Sequence, residues 1–415
     1  MIIEKMKIAD LNAAKYNPRK KLKPGDSEFE KLKRSIESFG MVEPPIWNKR
    51  TGTVVGGHQR ISVMKTLGYT ETDVVIVDIS EPEEKALNVA LNKISGEWDD
   101  LLLTDLMSEL KTMGFDTELT GFSMDELEHL WGDNDKSEVK DDDFDVDKAV
   151  AEPPFTMLGD LWTLGRHRLL VGDSTKAEDV ARLMDGNKIH LYLSDPPYAV
   201  SYSAKAGTIK NDDLRGDEFH DKLLLPSFKN AFEYLYEGGW GFVFHASTTS
   251  EYFLKAYRLA GYKLSGICQW VKPSLVLGRA PFQFQNEPCL AGFKEGKPHY
   301  WFLPPSEARK QTTVWNFDKP HKNENHPTCK PLPLLGHIIN IVTAPEMTVY
   351  DSFLGSGSTL IVCEQMNRRC LGIELDEKYA GVIVKRYIEQ VGSADSVMVE
   401  RNGDVHKYSE VFSSV

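Results

Sequence analysis

A chain of 415 residues exceeds one ordinary domain, so we expect two or three domains. Hydrophobic residues make up 41% of it, yet no apolar run reaches the roughly 18 residues that a membrane-spanning helix requires. The net charge of -13 argues against a general attraction for nucleic acid, and five scattered cysteines without a CxxC pair predict no zinc site or disulfide framework.

The first 95 residues predict a small α+β unit. Residues 1–7 carry charges that interrupt any apolar core, so they do not form a secretory signal. Residues 29–36 have helical spacing, short strands follow at 45–47, 53–55 and 73–77, and further helices begin near residues 56 and 81. Residues 96–132 are expected to add a helical extension, with helices at 101–113 and 125–131.

An acidic stretch separates this unit from the rest of the chain. Between Asp133 and Asp147, eight acidic residues accompany two lysines and few apolar side chains. Because like charges repel and little surface can be buried, we expect an extended linker over residues 133–152. Over residues 153–400 strands alternate with helices, which predicts an α/β domain with a mostly parallel sheet and helices on both faces. Residues 401–415 are expected to form a tail.

Two loops of this second domain follow buried strands and carry candidate chemistry. The sequence Asp195-Pro196-Pro197-Tyr198 comes after the apolar residues 189–193, and a glycine-rich loop at 351–359 comes after residues 347–350. In an open α/β sheet, ligands bind at the carboxyl ends of the strands. We therefore expect both loops to border one pocket.

The first loop fits the exocyclic amine of a nucleobase. The lone pair of such an amine is delocalised into the ring, and an acceptor of its hydrogens, such as the Asp195 carboxylate, makes the nitrogen a better nucleophile. Pro196 offers a carbonyl without a competing N–H and restricts Asp195 to extended geometry. The Tyr198 ring offers a stacking face for a base that has left its duplex. The alternative is a structural Pro-Pro turn after a strand.

The second loop fits a cofactor. Gly355 and Gly357 permit positive φ and a close approach of backbone to a ligand. Glu374 ends the next predicted strand and can accept hydrogen bonds from ribose hydroxyls. A dinucleotide site is the alternative, although the third glycine of G-x-G-x-x-G is missing. A sulfonium cofactor needs no pyrophosphate cradle and gains from nearby carboxylates such as Asp351.

A basic segment lies between the two loops. Residues 255–332 contain twelve Lys and Arg against five Asp and Glu, so this face can attract a polyanion in spite of the acidic total. Chance clustering on a solvated surface is the alternative. We assign target recognition to residues 255–325, with these candidate groove or phosphate contacts: Lys272, Arg279, Gln283, Gln285 and Lys322.

These motifs resemble those of the β group of amino-DNA methyltransferases. Asp195-Pro196-Pro197-Tyr198 resembles the catalytic tetrad, and residues 351–357 resemble the S-adenosylmethionine loop. His326-Pro327-Thr328-Cys329-Lys330-Pro331 is similar to the HPTQKP-like segment before that loop, with Cys329 in place of Gln. The resemblance covers residues 155–395 and implies a Rossmann-like methyltransferase sheet. It also implies a cofactor site formed by Asp173, His326, Lys330, Asp351, Phe353, Gly355, Gly357, Thr359 and Glu374.

The first residue of the tetrad bears on the target base. Family members with Asp there modify mostly adenine N6, and those with Ser mostly cytosine N4, so Asp195 implies adenine N6. Phe353 would pack near the adenine of the cofactor, and Glu374 would hold its ribose. Gly172-Asp173 is similar to the strand end that approaches the cofactor adenine; the alternative is that Asp173 caps the following helix.

The N-terminal unit resembles the ParB/sulfiredoxin-like domain. Asn17-Pro18-Arg19 and Gly56-Gly57-His58-Gln59-Arg60 carry this resemblance. In partition proteins the corresponding loop binds the phosphates of a nucleotide, and a glycine turn at a helix N-terminus suits anions. The acidic residue usual after the first glycine is missing here, so hydrolysis is not implied. The alternative is a structural turn in which Arg60 pairs with a carboxylate.

Together these features predict an enzyme that uses S-adenosylmethionine to methylate N6 of a flipped adenine in a specific sequence of double-stranded DNA. The alternatives are cytosine-N4 methylation, methylation of RNA or protein, and a DNA-binding or partition module with an inactive methylase half. We expect a cytoplasmic protein of a bacterial or phage-infected cell, with no metal and no membrane partner. Further candidate partners are a second copy of the chain and a nucleotide at the N-terminal domain.

Overall fold

The computed structural model of the protein divides into two compact units, residues 1–133 and 134–415. The structure describes residues 2–19, 21–92, 103, 106–107, 110, 120, 139–199, 203–204, 207–208, 214–276, 281–303, 305–318 and 330–412. The helices expected at 101–113 and 125–131 fall mostly outside these ranges. Within that region the described residues, all of them buried, are Leu103, Leu106, Met107, Leu110 and Thr120.

The first unit combines a mixed sheet with helices, as the α+β prediction requires. Its described elements are β1 Ile2–Lys7, β2 Asn12–Ala13, α1 Ser27–Phe39, β3 Ile46–Asn48, β4 Thr53–Gly56, α2 His58–Thr66, β5 Glu71–Val77 and α3 Glu81–Asn92. The strands lie in the order β1-β5-β3-β4-β2. Phe29 of α1 and the α2 residues Ile61 and Met64 pack on Val54 and Val74 of the sheet, which buries the apolar face of each helix.

The second unit is built on one large sheet. Its strands are β6 Leu161–Leu164, β7 His167–Val171, β8 Ile189–Ser194, β11 Leu235–Phe244, β12 Lys263–Val276, β13 Phe284–Phe293, β14 Val314–Asn316, β15 Thr348–Asp351, β16 Arg369–Glu374, β17 Val397–Arg401 and β18 Asp404–Lys407; β9 Ser203–Ala204 and β10 Gly207–Thr208 form a separate ribbon. The order is β14-β12-β13-β11-β8-β15-β16-β7-β6-β17-β18. The five strands from β11 to β7 are parallel, and antiparallel pairs flank them. The predicted Rossmann-like sheet is confirmed.

Helices cover both faces of this sheet. They are α4 Val146–Ala151, α5 Ala177–Met184, α6 Gly216–Phe219, α7 Leu225–Tyr234, α8 Ser250–Ala260, α9 Pro305–Ala308, α10 Leu332–Val342, α11 Ser358–Gln365, α12 Glu377–Val391 and α13 Tyr408–Val411. Successive strand residues point to opposite faces. Leu191 accordingly packs on the side of α10, α11 and α12, and Tyr192 on the side of α5, α7 and α8. Among the described helices, none is long and apolar enough to cross a membrane.

Residues 139–152, expected as part of an extended linker, are folded onto the second unit instead. Asp142 forms a two-pronged ion pair with Arg386 of α12, at 2.6 and 3.0 Å, and Asp141 accepts from the Leu332 N–H at 2.8 Å. Phe144 and Val146 are buried beside α12. The acidic side chains do not repel this segment from the domain because a buried guanidinium and a helix N-terminus receive them.

The C-terminal residues also fold, although they were expected as a tail. β18 pairs with β17, and α13 follows. Tyr408 and Phe412, one helical turn apart, pack on Phe155; the centres of the Phe412 and Phe155 rings are 4.8 Å apart. The Phe412 ring also stacks on Trp162, 6.0 Å away. This aromatic burial anchors the end of the chain through residue 412.

We expect Asp142→Ala to destabilise the second unit by about 3–5 kcal/mol, because it leaves the buried Arg386 guanidinium without its carboxylate. Glu152→Ala is the matched control: it removes a carboxylate of the same segment from a more exposed pair with Lys385, and it should change stability little. Urea unfolding followed by circular dichroism measures both variants. Equal effects of the two substitutions would contradict the special role of Asp142.

Candidate active site

The two predicted loops lie side by side at the carboxyl edge of the sheet. β8 pairs in parallel with β15, with Leu191 opposite Val349. Just beyond, the Ser194 hydroxyl donates to the Asp351 carboxylate at 3.2 Å and lies 3.1 Å from the Ser352 hydroxyl. Along the chain, β8 leads to β11 on one side of it in the sheet, whereas β15 leads to β16 on the opposite side. The direction of the strand order therefore reverses between β8 and β15. Such a switch point is where open α/β sheets bind ligands.

Neighbouring donors engage both oxygens of the tetrad carboxylate. The Tyr198 hydroxyl donates to Asp195 Oδ1 at 2.5 Å, and Lys330 Nζ lies 2.5 Å from Oδ2. Lys330 Nζ is also 3.2 Å from the Tyr198 hydroxyl oxygen. The next residue, Ala199, has a φ of +59°, which is uncommon for a residue with a Cβ. The chain therefore turns sharply just after Tyr198, at some cost in backbone strain.

A second carboxylate, Glu287 of β13, lies on the other side of Lys330. Its Oε2 is 3.1 Å from Lys330 Nζ and 3.3 Å from the Tyr198 hydroxyl, while its Oε1 pairs with Lys272 Nζ. Two carboxylates and two ammonium groups thus form one electrically balanced cluster. We call Asp195, Lys330, Glu287 and Lys272 the charge cluster.

The ionisation of the charge cluster follows from burial and from its opposite charges. Burial favours a neutral Glu287, but Lys330 and Lys272 outweigh it and lower the pKa of Glu287 to about 2. Burial also disfavours the Lys330 ammonium, yet Asp195 and Glu287 raise the pKa of Lys330 above its usual value. At Asp195 burial dominates and raises the pKa, although Lys330 opposes it. Lys330 therefore stays an ammonium ion at neutral pH and cannot serve as a base.

Aromatic rings surround the Lys330 ammonium. Its Nζ lies 5.1 Å from the ring centre of Phe244, 5.5 Å from that of Tyr198 and 5.9 Å from that of Trp270. Ring faces within about 6 Å attract a cation and also offer flat apolar walls. The cluster therefore combines carboxylate acceptors with surfaces on which a planar base can stack.

Asp351 holds the glycine loop in shape. Its Oδ1 accepts from the Phe353 N–H at 3.1 Å, and its Oδ2 accepts from the Thr359 hydroxyl at 2.7 Å. Gly355 and Gly357 have φ values of +55° and +88°, which favour glycine. A Cβ added at Gly355 would meet only the Phe353 carbonyl oxygen, at 4.0 Å, so the space beside Gly355 is open to a ligand. Asp351 and Thr359 thus stabilise the loop by hydrogen bonds within it, whereas the sequence had predicted that they contact the cofactor directly.

Glu374 fits the ribose of the expected cofactor. Its Oε2 accepts from the Gly355 N–H at 2.7 Å, and its Oε1 accepts from the Asp376 N–H at 2.8 Å. Burial raises the pKa of Glu374 to about 7, and the described residues place no cation beside it. Each oxygen can accept further hydrogen bonds. A buried carboxylate of this kind is stabilised by hydroxyl donors, so the residues present fit the ribose of S-adenosylmethionine.

Asp173 lies at the same edge, next to Glu374. The Gly172 N–H donates to the Glu374 carbonyl at 3.0 Å. Asp173 Oδ1 accepts from the N–H and the hydroxyl of Thr175, at 3.0 and 2.7 Å, which closes a turn. The helix-capping alternative is wrong, because the N-cap residue of α5 is Lys176.

Two lysines lie elsewhere than the sequence predicted. Lys330 was expected at the cofactor but contacts the tetrad carboxylate, since buried Asp195 needs a counterion. Lys272 was expected to contact DNA but is only 8% exposed and pairs with Glu287. Gln285 donates to the Lys272 carbonyl at 3.1 Å, within the β12–β13 hairpin. Gln283 is half-buried, and three further predicted residues lie outside the described ranges: Arg279, Lys322 and His326.

Sequence reasoning missed Glu287. It is one of five acidic residues in a segment with twelve basic ones, and no motif distinguishes it. The sequence offers only an indirect indication of Glu287. Any lysine of this segment that is buried needs a carboxylate partner, and Glu287 lies in a predicted strand of the same segment.

The glycine turn of the first unit is engaged by protein contacts. Gly57 has a φ of +89°, and a Cβ there would lie 3.0 Å from Pro45. His58 Nε2 accepts from the Ala14 N–H at 3.2 Å, and burial lowers the pKa of His58 to about 4. Gln59 accepts from the Leu22 N–H at 3.2 Å, and Arg60 pairs with Glu43. These contacts match the structural alternative for residues 56–60, because the half-buried side chains of His58, Gln59 and Arg60 all bond to other groups of the protein.

We expect Glu374→Gln to change how stability depends on pH. Because burial raises the pKa of Glu374 from 4.5 to about 7, the wild-type protein should lose stability relative to the variant as the pH rises through that window. Below the window Glu374 is protonated in both the folded and the unfolded chain. Urea unfolding at a series of pH values from 4 to 8 measures the difference. Asp351, whose pKa burial raises to about 6, is present in both proteins, so the difference between the two curves reports on Glu374 and on its repulsion with Asp351. Parallel curves would contradict this expectation.

Three family models match successive parts of the chain. A ParB N-terminal domain matches residues 1–93, a ParB-methyltransferase helix-turn-helix domain matches 101–158, and a DNA methylase of the N6/N4 type matches 189–385. The helix-turn-helix match includes most of the predicted helical extension (96–132), the whole predicted linker (133–152) and the first six residues of the predicted methyltransferase domain.

Two curated relatives and one solved structure illustrate these matches. The putative methylase YubD of Escherichia coli (strain K12) is 28% identical over 212 residues, which cover 51% of this chain and 86% of that protein. The type II methyltransferase M.HindIII of Haemophilus influenzae is 23% identical over 283 residues, 49% of this chain and 90% of that protein. The structure of the cytosine-N4-specific PvuII DNA methyltransferase aligns with a TM-score of 0.43 and 18% identity, over 56% of this chain and 94% of that one. The chain therefore contains a DNA methylase domain of the N6/N4 type at residues 189–385, together with a ParB N-terminal domain and a ParB-methyltransferase helix-turn-helix domain.

Proposed function

We propose that this enzyme methylates N6 of an adenine that is flipped out of double-stranded DNA. The observation that carries the proposal is the position of Asp195: its carboxylate lies among aromatic rings, beside the loop that fits the methyl donor. A target base inside a duplex cannot reach such a pocket, so it has to leave the stack. DNA is the substrate class of the family.

The cofactor site is proposed to consist of the Gly355 backbone, Phe353, Asp173 and Glu374, with Glu374 on the ribose hydroxyls. When bound there, S-adenosylmethionine supplies a methyl group activated by a sulfonium charge. Asp351 and Thr359 keep the loop in its conformation, and they do so through the hydrogen bond between them. The chain contributes position and charge, which are the main sources of rate enhancement in such a transfer.

Asp195 is proposed to accept a hydrogen bond from the target amine. That hydrogen bond localises electron density on the nitrogen and orients its lone pair. In this structure Lys330 Nζ supplies a donor to the same carboxylate, at 2.5 Å from Oδ2. Glu287, 3.1 Å from Lys330, offers the ammonium a second partner, so Lys330 can yield Asp195 to the amine without becoming an unpaired buried charge. Formation of the C–N bond would break the methyl–sulfur bond of the donor, whose electron pair would stay on sulfur as a neutral thioether. The methylated amine would then release one proton, and Asp195 is placed to receive it before it passes to water.

Asp195 at the first position of the tetrad favours adenine. By the family resemblance, members with Asp at this position modify mostly adenine N6, and those with Ser mostly cytosine N4. Cytosine N4 is the second candidate because it presents the same amine chemistry to the same carboxylate. The nucleotide expected at the N-terminal domain is left out of the proposal, since His58, Gln59 and Arg60 are bonded within the protein.

We expect Asp195→Asn to lower kcat for methyl transfer about 10²–10³-fold, the usual effect of removing one preorganised polar group from a transition state. Affinity for S-adenosylmethionine should stay unchanged, because Glu374 and Gly355 are not altered. Transfer of labelled methyl to mixed-sequence DNA, RNA and protein measures the activity, and mass analysis of nucleosides identifies the product. N4-methylcytosine would refute the base assignment, and full activity of the variant would refute the role of Asp195. Tight DNA binding without any transfer by the wild type would favour the inactive-module alternative.

We expect Glu287→Gln to reduce kcat/KM for DNA about 10–100-fold, the equivalent of one charge-assisted hydrogen bond. In this variant the Lys330 ammonium keeps Asp195 as its single carboxylate and competes with the target amine. Glu287→Asp retains the negative charge, so its kcat/KM should be close to the wild-type value. If Glu287 only filled space, the shorter Asp side chain would not restore kcat/KM. Steady-state kinetics measure the effect. Affinity for the cofactor is the control, and urea unfolding shows whether the variant is folded. Unchanged kcat/KM in a folded Glu287→Gln protein would refute this exchange of partners.

A further inference from the structure

The β12–β13 hairpin extends past the edge of the sheet where the pocket lies. β11 ends at Phe244, which pairs with Cys289 of β13, and Ser194 at the end of β8 pairs with Val243. From Cys289 back to Phe284, β13 continues for five residues beyond that edge, about 17 Å at 3.4 Å per residue. Over this stretch β13 keeps β12 as its partner, with Glu287 opposite Trp270. The hairpin therefore overhangs the carboxyl edge that carries Asp195.

The inner part of the overhang belongs to the active site. Glu287 and Lys272 complete the charge cluster, and the Trp270 ring faces Lys330. A hairpin that forms one wall of the pocket cannot be distant from a DNA strand whose base enters that pocket. The outer part of the same hairpin is thus continuous with the DNA site.

The outer part of the overhang exposes large apolar side chains. Phe282 is 88% exposed, the highest value among the large hydrophobic residues of the described chain, and Phe284 and Leu275 are 45% and 50% exposed. Large apolar side chains left in water lose the free energy that burial would provide, so two phenylalanines and a leucine on the outer part of one hairpin indicate a surface that is covered in use. The described core of the protein does not cover them.

We propose that Phe282, flanked by Phe284 and Leu275, is a wedge that enters the base stack of the DNA duplex while the target base occupies the pocket. Extruding a base breaks two stacking contacts, and an apolar side chain inserted between base steps restores part of that contact. The partner is therefore duplex DNA, contacted through its stack rather than through its phosphates or base edges. This inference rests on the proposed function only in requiring a flipped base, and it holds equally for adenine and for cytosine.

The experiment compares paired and unpaired targets. The duplex carries the sequence found modified in DNA from cells that express the protein, and a second duplex places an abasic site opposite the target base. We expect Phe282→Ala to methylate the paired duplex about ten-fold or more slowly than wild type, since the full cost of unstacking then falls on the enzyme. On the abasic duplex, where that cost is small, the variant should approach the wild-type rate. Phe39→Ala is the matched control, a phenylalanine 76% exposed in the first unit, and it should leave both rates unchanged.

A second readout does not depend on methyl transfer. 2-Aminopurine at the target position becomes fluorescent when it leaves the stack, and Phe282→Ala should lower that signal at saturating protein. Equal wild-type and Phe282→Ala rates on the paired duplex would overturn the proposal, and so would a loss that is equally large on the abasic duplex, which would indicate sequence recognition or a protein partner instead. A wild-type protein that methylates neither duplex but still gives the fluorescence rise would overturn the proposed methylation. In that case a lower rise with Phe282→Ala would support the wedge, whereas an equal rise with the variant, or no rise with wild type, would overturn it.

Discussion

The parallel pairing of β8 with β15 is the constraint on which the site depends. Neighbouring strands lie about 4.8 Å apart, so the residues that follow them, Asp195 and the loop at 351–359, must share one edge. The hydrogen bond between Ser194 and Asp351 ties the two strand ends together. A shift of either strand by one residue would turn its side chains to the other face and separate Asp195 from the glycine loop at 351–359.

The two halves of the site balance their charges in different ways. Around Asp195 the protein supplies its own cations, Lys330 and Lys272, and the cluster is neutral without a ligand. Around Glu374 the described residues supply only backbone N–H groups, and burial raises its pKa to about 7. The surroundings of Glu374 are therefore stabilised by a ligand that brings hydroxyl groups and positive charge. The surroundings of Asp195 instead require a ligand that can replace the Lys330 ammonium as the hydrogen-bond donor.

The sequence predicted the parts of the site that local pattern determines. The strand-end positions of Asp195 and Glu374 follow from apolar runs and a glycine turn, and the structure brings these residues to one edge. The position of Lys330 could not be predicted in this way, because a counterion for a buried carboxylate is chosen by three-dimensional proximity over 135 residues. Glu287 was missed for the same reason. The acidic segment was predicted to be an extended linker because composition does not reveal that Asp142 forms an ion pair with Arg386, more than 240 residues away.

Arg386 joins two regions that the sequence keeps far apart. Its guanidinium donates to both oxygens of Asp142 and, at 3.0 Å, to the carbonyl of Ser356 between the two loop glycines. Asp142 lies within the helix-turn-helix match, and Ser356 lies within the loop that fits the methyl donor. A single side chain thus acts as a mechanical strut between them. Displacement of Asp142 from the methylase domain would therefore leave the guanidinium that supports Ser356 without the carboxylate that orients it, so the position of residue 142 and the conformation of the glycine loop depend on the same arginine.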